Sequence, residues 1–336
     1  MQTPFPLLRM GLVMAAILFV LAGLGLLLDS GIGAGRRAPT DRPAAPPARD
    51  TDDEPAADDS AVASAPAPGG ALCRVEASGV ALPDDVHEAS GVAPGRRDSG
   101  VLWTHNDSGD PVLAAVGADG RPRARVSVTG ASLVDWEDVA AGPCPAGSCL
   151  YVGDIGDNGA ARDRITVYRV LEPGAGETRT QPAEALHATY PDGPQDAEAL
   201  FVMPDGGVYV VTKGETGPVA VYRFPQPLRP GATVRLERVR ELAAGEARRS
   251  ARITGASASP DGRWVALRTL REVAFYPAAS FATGGSEPLR YDVSGLDEAQ
   301  GEGVGFGPAG TVYLTSEGGK KEDPATLARL ACSLPS

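Results

Sequence analysis

Acidic side chains separated by a single residue recur at the start of short apolar stretches in this sequence. The clearest examples are Asp135-Trp-Glu137 and Asp196-Ala-Glu198. Residues two apart in an extended strand point to the same side, so each pair would bring two carboxyl groups together. Carboxyl groups held close to one another can bind a cation, share a proton, or serve as the acid and base of a hydrolysis. We therefore take these four residues as the candidate catalytic groups.

The acidic pairs belong to a pattern that occurs five times along the chain. It consists of an acidic or polar residue, a spacer, a small or acidic residue, a second spacer and an apolar residue. Its five copies follow one another at intervals of 47, 61, 58 and 46 residues and begin at Glu88, Asp135, Asp196, Thr254 and Gln300. Each copy leads to a proline-containing turn and then to a second strand rich in β-branched and aromatic residues.

Repeats of this length, with four strands to a unit, are typical of a β-propeller. The pattern predicts an all-β, five-bladed β-propeller over residues 71–336, and a six-bladed alternative would need another blade between Cys144 and Thr180. The fifth unit has only one more strand before the chain ends, so its outer strand would come from the start of the domain. These further strands are predicted at Ile165–Val170, Ala185–Tyr190, Val219–Phe224, Thr233–Leu242, Leu327–Cys332 and Leu72–Glu76.

The four cysteines can pair in three ways. The most economical pairing joins Cys73 to Cys332 at the two ends of the domain and Cys144 to Cys149 across a tight loop. Because the first bond would pin the shared last blade, this pairing and the five-blade prediction support each other. A zinc site made of all four cysteines is disfavoured by their spacing. Disulfides predict an oxidising compartment.

In a propeller blade the first strand lines the channel and the second returns antiparallel to it. The start of the first strand and the end of the second therefore lie at the same channel mouth, whereas the proline turns lie at the other. We expect ligand-binding side chains at this mouth from both sets of positions; those from the second strands and the residues after them are His105, Asn106, Asp107, Asp154, Asn158, Lys213, Arg268 and Glu317. The competing interpretation is that such side chains cap loops and tie neighbouring blades together.

Several carboxylates around one channel mouth repel one another unless something neutralises them. A cation such as calcium could lie among them, Lys213 and Arg268 could form ion pairs with them, or one carboxyl could stay protonated and act as a general acid. The sequence leaves these three alternatives open.

Residues 1–33 contain an apolar run at 10–28 that is long enough to span a bilayer. We interpret this segment as a signal anchor or transmembrane helix, with a cleaved signal as the alternative. Residues 34–70 are rich in Ala, Pro and Asp and predict a disordered tether. The domain would then lie outside the cytoplasm on a single-pass membrane anchor, or be secreted if the signal is cleaved. The net charge of −12 and the lack of a basic stripe disfavour nucleic acid as a partner, and we expect a monomer.

Five short motifs carry a family resemblance: EASGV, WTHNDSGD, DWEDVA, YVGDIGDN and DAEAL. Together they resemble a group of bacterial extracytoplasmic β-propellers, the SdiA-regulated (YjiK-like) propellers, and more remotely the esterase-like phytase and gluconolactonase propellers. The resemblance covers about residues 85–320 and implies a fold and a compartment more than a reaction. It also implies calcium at the channel mouth, held by Glu88, Asp135, Glu137, Asp196, Glu198 and Glu302. Thr254 and Ala256 lack carboxylates at the matching positions, so the acidic ring is incomplete.

Two functions are consistent with these features. The favoured one is a membrane-tethered binding module that takes a small-molecule, glycan or protein ligand at the channel mouth, with calcium as a candidate ion. The alternative is a cation-dependent hydrolase of a glycoside, lactone or phosphoester that uses the mouth carboxylates. The sequence contains no GxSxG, HExxH or phosphate-loop motif that would favour another enzyme class.

Overall fold

The computed structural model describes residues 72–174, 176–319 and 323–335, and within them the chain is almost entirely β. The only α-helix there is α1 (Ala278–Phe281), and single 3-10 turns occur at Arg249–Ala251, Ser294–Leu296 and Pro308–Gly310. The strands are β1 (Cys73–Ala81), β2 (Ala89–Pro94), β3 (Leu102–Asn106), β4 (Val112–Val116), β5 (Pro122–Ser127), β6 (Trp136–Cys144), β7 (Gly147–Asp154), β8 (Ile165–Leu171), β9 (Glu184–Thr189), β10 (Ala197–Val202), β11 (Val208–Thr212), β12 (Val219–Arg223), β13 (Thr233–Arg235), β14 (Glu237–Ala243), β15 (Ile253–Ala258), β16 (Trp264–Thr269), β17 (Glu272–Pro277), β18 (Leu289–Asp292), β19 (Gln300–Phe306), β20 (Thr311–Glu317) and β21 (Thr326–Cys332).

The strands form five separate sheets, which are the five blades of a propeller. Blade 1 is β2-β3-β4-β5, blade 2 is β6-β7-β8-β9, blade 3 is β10-β11-β12-β14, blade 4 is β15-β16-β17-β18, and blade 5 is β19-β20-β21-β1. The innermost strands are β2, β6, β10, β15 and β19, and each contacts the next around the ring. The five-bladed prediction is confirmed, and the six-bladed alternative is wrong because the loop after β7 contains no extra sheet.

Blade 5 closes the ring by combining both ends of the domain, as predicted. Strand β1 pairs antiparallel with β21, and Cys73 lies opposite Cys332. These two cysteines form one disulfide, and Cys144 and Cys149 form the other across the β6–β7 hairpin. No cysteine is left free, so the favoured pairing is confirmed and a four-cysteine zinc site is wrong. Two disulfides indicate an extracellular or periplasmic domain.

One predicted strand divides into two. The stretch Thr233–Leu242 was expected to form a single outer strand of blade 3. Instead, β13 pairs parallel with β9 of blade 2, and β14 pairs with β12 to complete blade 3. The outer edge of blade 2 is thereby covered by a fifth strand, which leaves less of that sheet open to pairing with another chain.

The hydrophobic core lies between the blades rather than at the axis. Five clusters of buried side chains each join two neighbouring blades, for example Trp103 with Leu150 between blades 1 and 2, and Phe275 with Leu314 between blades 4 and 5. The inner strands converge on the axis and have little space. A β-carbon at Gly303 would lie 2.5 Å from the carbonyl oxygen of Ser90 in the neighbouring blade, so only glycine fits there.

The two ends of the channel differ in composition. The proline and glycine turns lie at one end, which we call the turn face, and both disulfides lie there as well. The starts of the inner strands lie at the other end, the mouth face. Residues 1–71, including the proposed signal anchor and tether, lie outside the described residues. Among the described residues, no helix is both long and apolar enough to cross a membrane.

Candidate functional site

The mouth face contains a cavity of about 490 Å³. Every blade contributes to its wall, and seven of the lining residues are acidic while three are basic. The lining consists of Asp107, Asp135, Glu137, Asn158, Glu198, Lys213, Glu215, Arg249, Arg252, Thr254, Leu270, Gln300, Glu302 and Glu317. The predicted location of the site is therefore a real concave surface, and eight of its lining residues are candidate site residues named from the sequence: Asp107, Asp135, Glu137, Asn158, Glu198, Lys213, Glu302 and Glu317.

A β-bulge at the start of each inner strand directs one residue toward the channel. The register with the second strand shifts at this point in all five blades. The residues within the bulges include Glu137, Glu198 and Glu302, as well as Ser90 and Thr254. A bulge leaves its extra residue outside the regular pairing and re-aims its side chain, which explains how these carboxyl groups reach the cavity.

The bulges correct the alignment of the fourth repeat. Thr254 was matched to the first acidic position, but it occupies the bulge, like Glu198 and Glu302. The Thr254 hydroxyl donates to the backbone carbonyl of Glu302 (3.0 Å) in the next blade. The Ser90 hydroxyl of blade 1 donates in the same way to the backbone carbonyl of Glu137 in blade 2. The first position of blade 4 is therefore Arg252. The ring that seemed to lack one carboxylate has a guanidinium there instead.

The blade 3 side of the cavity contains a lysine among carboxylates. The Nζ atom of Lys213 forms an ion pair with Glu198 and lies 3.4 Å from Glu215 and 3.9 Å from Asp196. Burial disfavours the ammonium form, but the carboxylates outweigh it and raise the pKa of Lys213. Arg252 contacts Glu215 at 2.7 Å. The carboxylates of this side are thus largely neutralised by basic groups of the protein.

The blade 2 side contains two neighbouring carboxyl groups whose pKa values are both raised. Burial raises the pKa of Asp135, and a hydrogen bond from Glu137 lowers it. Burial, together with the carboxylates of Glu198 and Asp135, raises the pKa of Glu137 well above its usual range. Glu137 is therefore the harder of the two carboxyl groups to ionise. A β-carbon at Gly156 would collide with both carboxyl groups, so this glycine leaves the space that the pair occupies.

The side formed by blades 5 and 1 has carboxyl groups with little neutralisation. Glu302 is only 4% exposed, and its Oε2 atom has no hydrogen-bond partner among the described residues. Burial raises the pKa of Glu302 well above its usual range. Burial and neighbouring carboxylates also raise the pKa of Glu317 to about 7 and that of Asp107 to about 7. Three carboxyl groups on one wall therefore have raised pKa values.

Below the cavity lies Asp138, which sequence reasoning did not select. It is fully buried near the channel axis, where its Oδ2 atom accepts hydrogen bonds from the N–H groups of Leu200 (2.8 Å) and Ala256 (3.1 Å). One carboxyl group thus joins the inner strands of blades 2, 3 and 4. Its side chain approaches Gly91 of blade 1 closely. The signal was present in the sequence as a charged residue inside an apolar strand, which usually has a structural or catalytic reason.

Several predicted ligand-binding residues do not line the cavity. His105 is buried edge-on against Trp136, with ring centroids 5.7 Å apart, and burial lowers its pKa to about 4. Asn106 caps a loop by accepting the Glu88 N–H (3.1 Å) and donating to the carbonyl of Asp85 (2.9 Å). Asp154 forms an ion pair with Arg162 at 2.9 Å. These residues match the competing interpretation of loop capping and inter-strand support.

Arg268, Asp196 and Glu88 also lie outside the cavity wall. Arg268 is fully buried; it forms an ion pair with Glu298 and donates to the carbonyls of Gly303 and Thr315, both at 2.7 Å. Its guanidinium holds blade 4 against blade 5. Asp196 accepts the N–H of Asp157 at 2.9 Å. Glu88 accepts a hydrogen bond from the Ser108 hydroxyl beside a separate cavity of about 220 Å³.

The six residues implied for calcium do not form one ligand set in this arrangement. Carboxylate oxygens suit the ion chemically. However, Glu198 is engaged by Lys213, Asp196 by a backbone N–H, and Glu88 by Ser108. Within residues 72–174, 176–319 and 323–335, no group of three or more His, Cys, Asp or Glu side chains has a spacing that could hold a metal ion.

Comparisons with known proteins find likeness in overall structure alone. No protein-family model matches the chain, and no curated protein sequence matches it. An aldose sugar dehydrogenase from Streptomyces coelicolor, solved with PQQ bound, is 12% identical, with a TM-score of 0.47 over 78% of this chain and 98% of its own. A virginiamycin B lyase from Staphylococcus aureus is 12% identical, with a TM-score of 0.38 over 75% of this chain and 69% of its own. A putative 6-phosphogluconolactonase from Bacteroides uniformis is 15% identical, with a TM-score of 0.37 over 73% and 67%. These low values carry no inference about the site, and the finer resemblance to the SdiA-regulated group stays a prediction.

Proposed function

We propose that this propeller is an extracytoplasmic binding module that takes a small cationic ligand, carrying an ammonium group, in the mouth cavity. The observation that carries the proposal is the buried Oε2 atom of Glu302 on the cavity wall, which has no hydrogen-bond partner among residues 72–174, 176–319 and 323–335. A buried polar atom without a partner is unfavourable, and a ligand that donates a hydrogen bond to it would remove that penalty.

The balance of charge in the cavity supports the same ligand class. Seven acidic residues and three basic residues line the wall. Even when some carboxyl groups are protonated, the site attracts positive charge rather than negative. Its volume of about 490 Å³ lies within the range of small-molecule sites.

The anchor and tether belong to the same proposal. A membrane-anchored segment at residues 1–33 and a flexible stretch at 34–70 would hold the domain, as a monomer, at the outer surface of the membrane. The described chain begins at Leu72, whose carbonyl accepts the Ser333 N–H at the turn face.

Calcium is the competing occupant of the cavity. It would have to use the wall formed by Glu302, Glu317 and Asp107, because the carboxylates of blade 3 are engaged by Lys213 and Arg252. The negative charge of the mouth carboxylates would attract both an ammonium group and calcium. Electrostatics therefore does not distinguish the two ligands, and a binding experiment is needed.

A hydrolase is the second candidate function, favoured by one specific observation. Asp107 and Glu317 line the cavity, and each has a pKa near 7, which suits general acid–base catalysis. The predicted candidates Asp135 and Glu137 fit less well, because Glu137 is buried, with only 7% of its surface exposed. The acid and nucleophile of a retaining glycosidase stand about 5–5.5 Å apart.

The test is isothermal titration calorimetry of the full-length chain at pH 8, where more of the mouth carboxyl groups are ionised. The probes are hexylamine, calcium chloride and glucose. We expect hexylamine to bind and Glu302→Gln to weaken it by about tenfold or more, since a charge-assisted hydrogen bond is lost. Asp261→Asn, which changes a carboxylate at the turn face, is the matched control and should leave binding unchanged.

Each other result contradicts the proposal in a defined way. Binding of calcium without hexylamine would replace the ammonium ligand with a metal ion. Binding of glucose alone would make the site a polyol site. Turnover of nitrophenyl glycosides or phosphates that Glu317→Gln abolishes would replace the binding module with the hydrolase.

A further inference from the structure

We propose that the ligand of the mouth cavity is a zwitterion, with an ammonium group directed toward blades 5 and 1 and a carboxylate directed toward the arginines between blades 3 and 4. This inference rests on the proposed function and adds the second charge of the ligand and its orientation. It also assigns a binding role to Arg249 and Arg252, which the sequence analysis did not select.

The charges of the cavity are segregated around the ring. Among the described residues, the three basic ones that line the cavity lie on one side: Lys213 follows β11 of blade 3, and Arg249 and Arg252 lie in the connection from blade 3 to blade 4. In a five-membered ring, blade 3 faces the boundary between blades 5 and 1. That opposite wall carries Glu302, Glu317 and Asp107. The cavity is therefore dipolar across its width.

On the basic side, one of the three cations forms no ion pair with a carboxylate of the described residues. Lys213 is paired with Glu198, and Arg252 with Glu215. Arg249 has an exposed side chain and no ion pair with any acidic group among the described residues. A guanidinium at the rim of a cavity has the planar donor geometry that recognises a carboxylate.

On the acidic side, an independent observation points to a ligand. The carboxyl group of Glu302 is more than nine-tenths buried, lines the cavity, and has an oxygen atom without a partner among the described residues. Gln300 donates to Glu317 at 3.1 Å, and the Oδ1 atom of Asp107 on the same wall is, like the Oε2 atom of Glu302, buried and without a hydrogen-bond partner among the described residues. An ammonium group has three donors and could serve both acids at once.

A simple amine would use only half of this cavity. It would satisfy Glu302 but leave Arg249 solvated at the opposite rim, whereas a carboxylate at the other end of the same molecule would reach it. The preference for the zwitterion is therefore expected to depend on the length of the chain between the two charged groups. The amino acid that binds most tightly would then indicate the distance between the acidic wall and Arg249.

The experiment compares ligands that differ only in the carboxylate. Full-length protein is titrated calorimetrically at pH 8 with 4-aminobutyrate against propylamine, 6-aminohexanoate against pentylamine, and hexanoate alone. We expect one amino acid to bind about tenfold more tightly than its matched amine, and hexanoate not to bind. Arg249→Ala should abolish that preference. Arg229→Ala removes an exposed arginine at the turn face and should retain it.

The outcomes separate this inference from the proposed function. Equal binding of amines and amino acids, or tighter binding of amines, would overturn the zwitterion and leave the cationic ligand standing. A preference that survives in Arg249→Ala would overturn the role of that arginine and the orientation. If neither series binds, both proposals fail. Melting temperatures of both arginine variants should match the wild type, because each side chain is exposed.

Discussion

The mouth face and the turn face are built from opposite ends of the same strands, yet they differ in almost every chemical respect. The mouth has a polar cavity of about 490 Å³ lined by buried carboxyl groups. The turn face has a smaller cavity of about 290 Å³ lined mainly by proline, alanine and valine side chains. Both disulfides lie at the turn face, and each inner-strand bulge lies at the mouth.

The difference shows how one repeat can place stabilising features at one end of each blade and the candidate binding site at the other. Proline turns and disulfides restrict the unfolded chain and fix the geometry of the blades. With the blades fixed at one end, the other end can hold partly unsatisfied carboxyl groups, which are unfavourable for folding but useful for binding. The comparison predicts that substitutions at the two faces have effects of different kinds.

The largest expected effect is at the turn face, on the disulfide that closes the ring. Cys73 and Cys332 are separated by 259 residues, whereas Cys144 and Cys149 are separated by 5. Because a longer closed loop loses more entropy in the unfolded state, replacing the first pair with alanine should cost about 5 kcal/mol and the second about 2 kcal/mol. Urea unfolding of both double variants measures this. Equal losses would contradict a special role for ring closure.

The next effect is at the mouth, where Asp138→Ala would leave the N–H groups of Leu200 and Ala256 without their acceptor. Two unsatisfied buried donors should lower the free energy of unfolding by about 4 kcal/mol. The turn-face control is Asp261→Ala, which removes an exposed carboxylate that accepts from Ser259 at 2.6 Å. We expect the control to cost about 1 kcal/mol or less. Similar losses in both variants, measured by urea unfolding, would show that Asp138 does not join the blades.

A smaller effect is expected from filling the space in front of the acid pair. In Gly156→Ala the new methyl group would collide with Asp135 and Glu137, so the free energy of unfolding should fall by about 1–3 kcal/mol. Gly159→Ala is a matched control, because its β-carbon would meet nothing within 4 Å. Thermal unfolding compares the two. If Gly156→Ala were as stable as the control, the pair would not occupy this space.

The smallest effect is a dependence of stability on pH. Burial raises the pKa of Glu317 and of Asp107 to about 7, so the folded state binds more protons than the unfolded state between about pH 4 and pH 7. Stability contributed by these groups is present at low pH and is lost as the pH rises through 7. We expect the melting temperature to fall by a few degrees from pH 5 to pH 8. Asp107→Asn with Glu317→Gln should flatten the profile.

The turn face should respond to pH with the opposite sign. A hydrogen bond from Ser259 lowers the pKa of Asp261, so its contribution is present above the unfolded value and is lost as the pH falls through the folded one. Asp261→Asn should therefore change the profile only below about pH 4, the ordinary pKa range of aspartate. If Asp261→Asn changed the melting temperature near pH 7, the pH dependence in that range could not be assigned to Asp107 and Glu317 at the mouth.

The architecture could be predicted because it depends on local and periodic signals. The spacing of the five repeats predicted five blades. The incomplete fifth repeat predicted both the blade shared by the two ends of the domain and the Cys73–Cys332 bond. The face of the site followed from antiparallel geometry. Thr233–Leu242 was misjudged because its break depends on a neighbouring blade, where β13 finds a free edge at β9.

The details of the site could not be predicted because they depend on contacts between blades. Nothing local distinguishes Arg268, whose partners are carbonyls of the next blade, from a ligand-binding arginine. The bulges shift the register by a residue, which a regular strand pattern does not reveal, so Thr254 was aligned with the first acidic position and Arg252 was not selected. Arg249 lies between repeats and was not part of the pattern at all.

The most direct test of the account is a crystal structure of the protein with 6-aminohexanoate, added at about ten times the dissociation constant measured by calorimetry. The account predicts density in the mouth cavity, with the amine within hydrogen-bonding distance of Glu302 and the carboxylate beside Arg249. An empty mouth, or a ligand bound at the turn face instead, would contradict it.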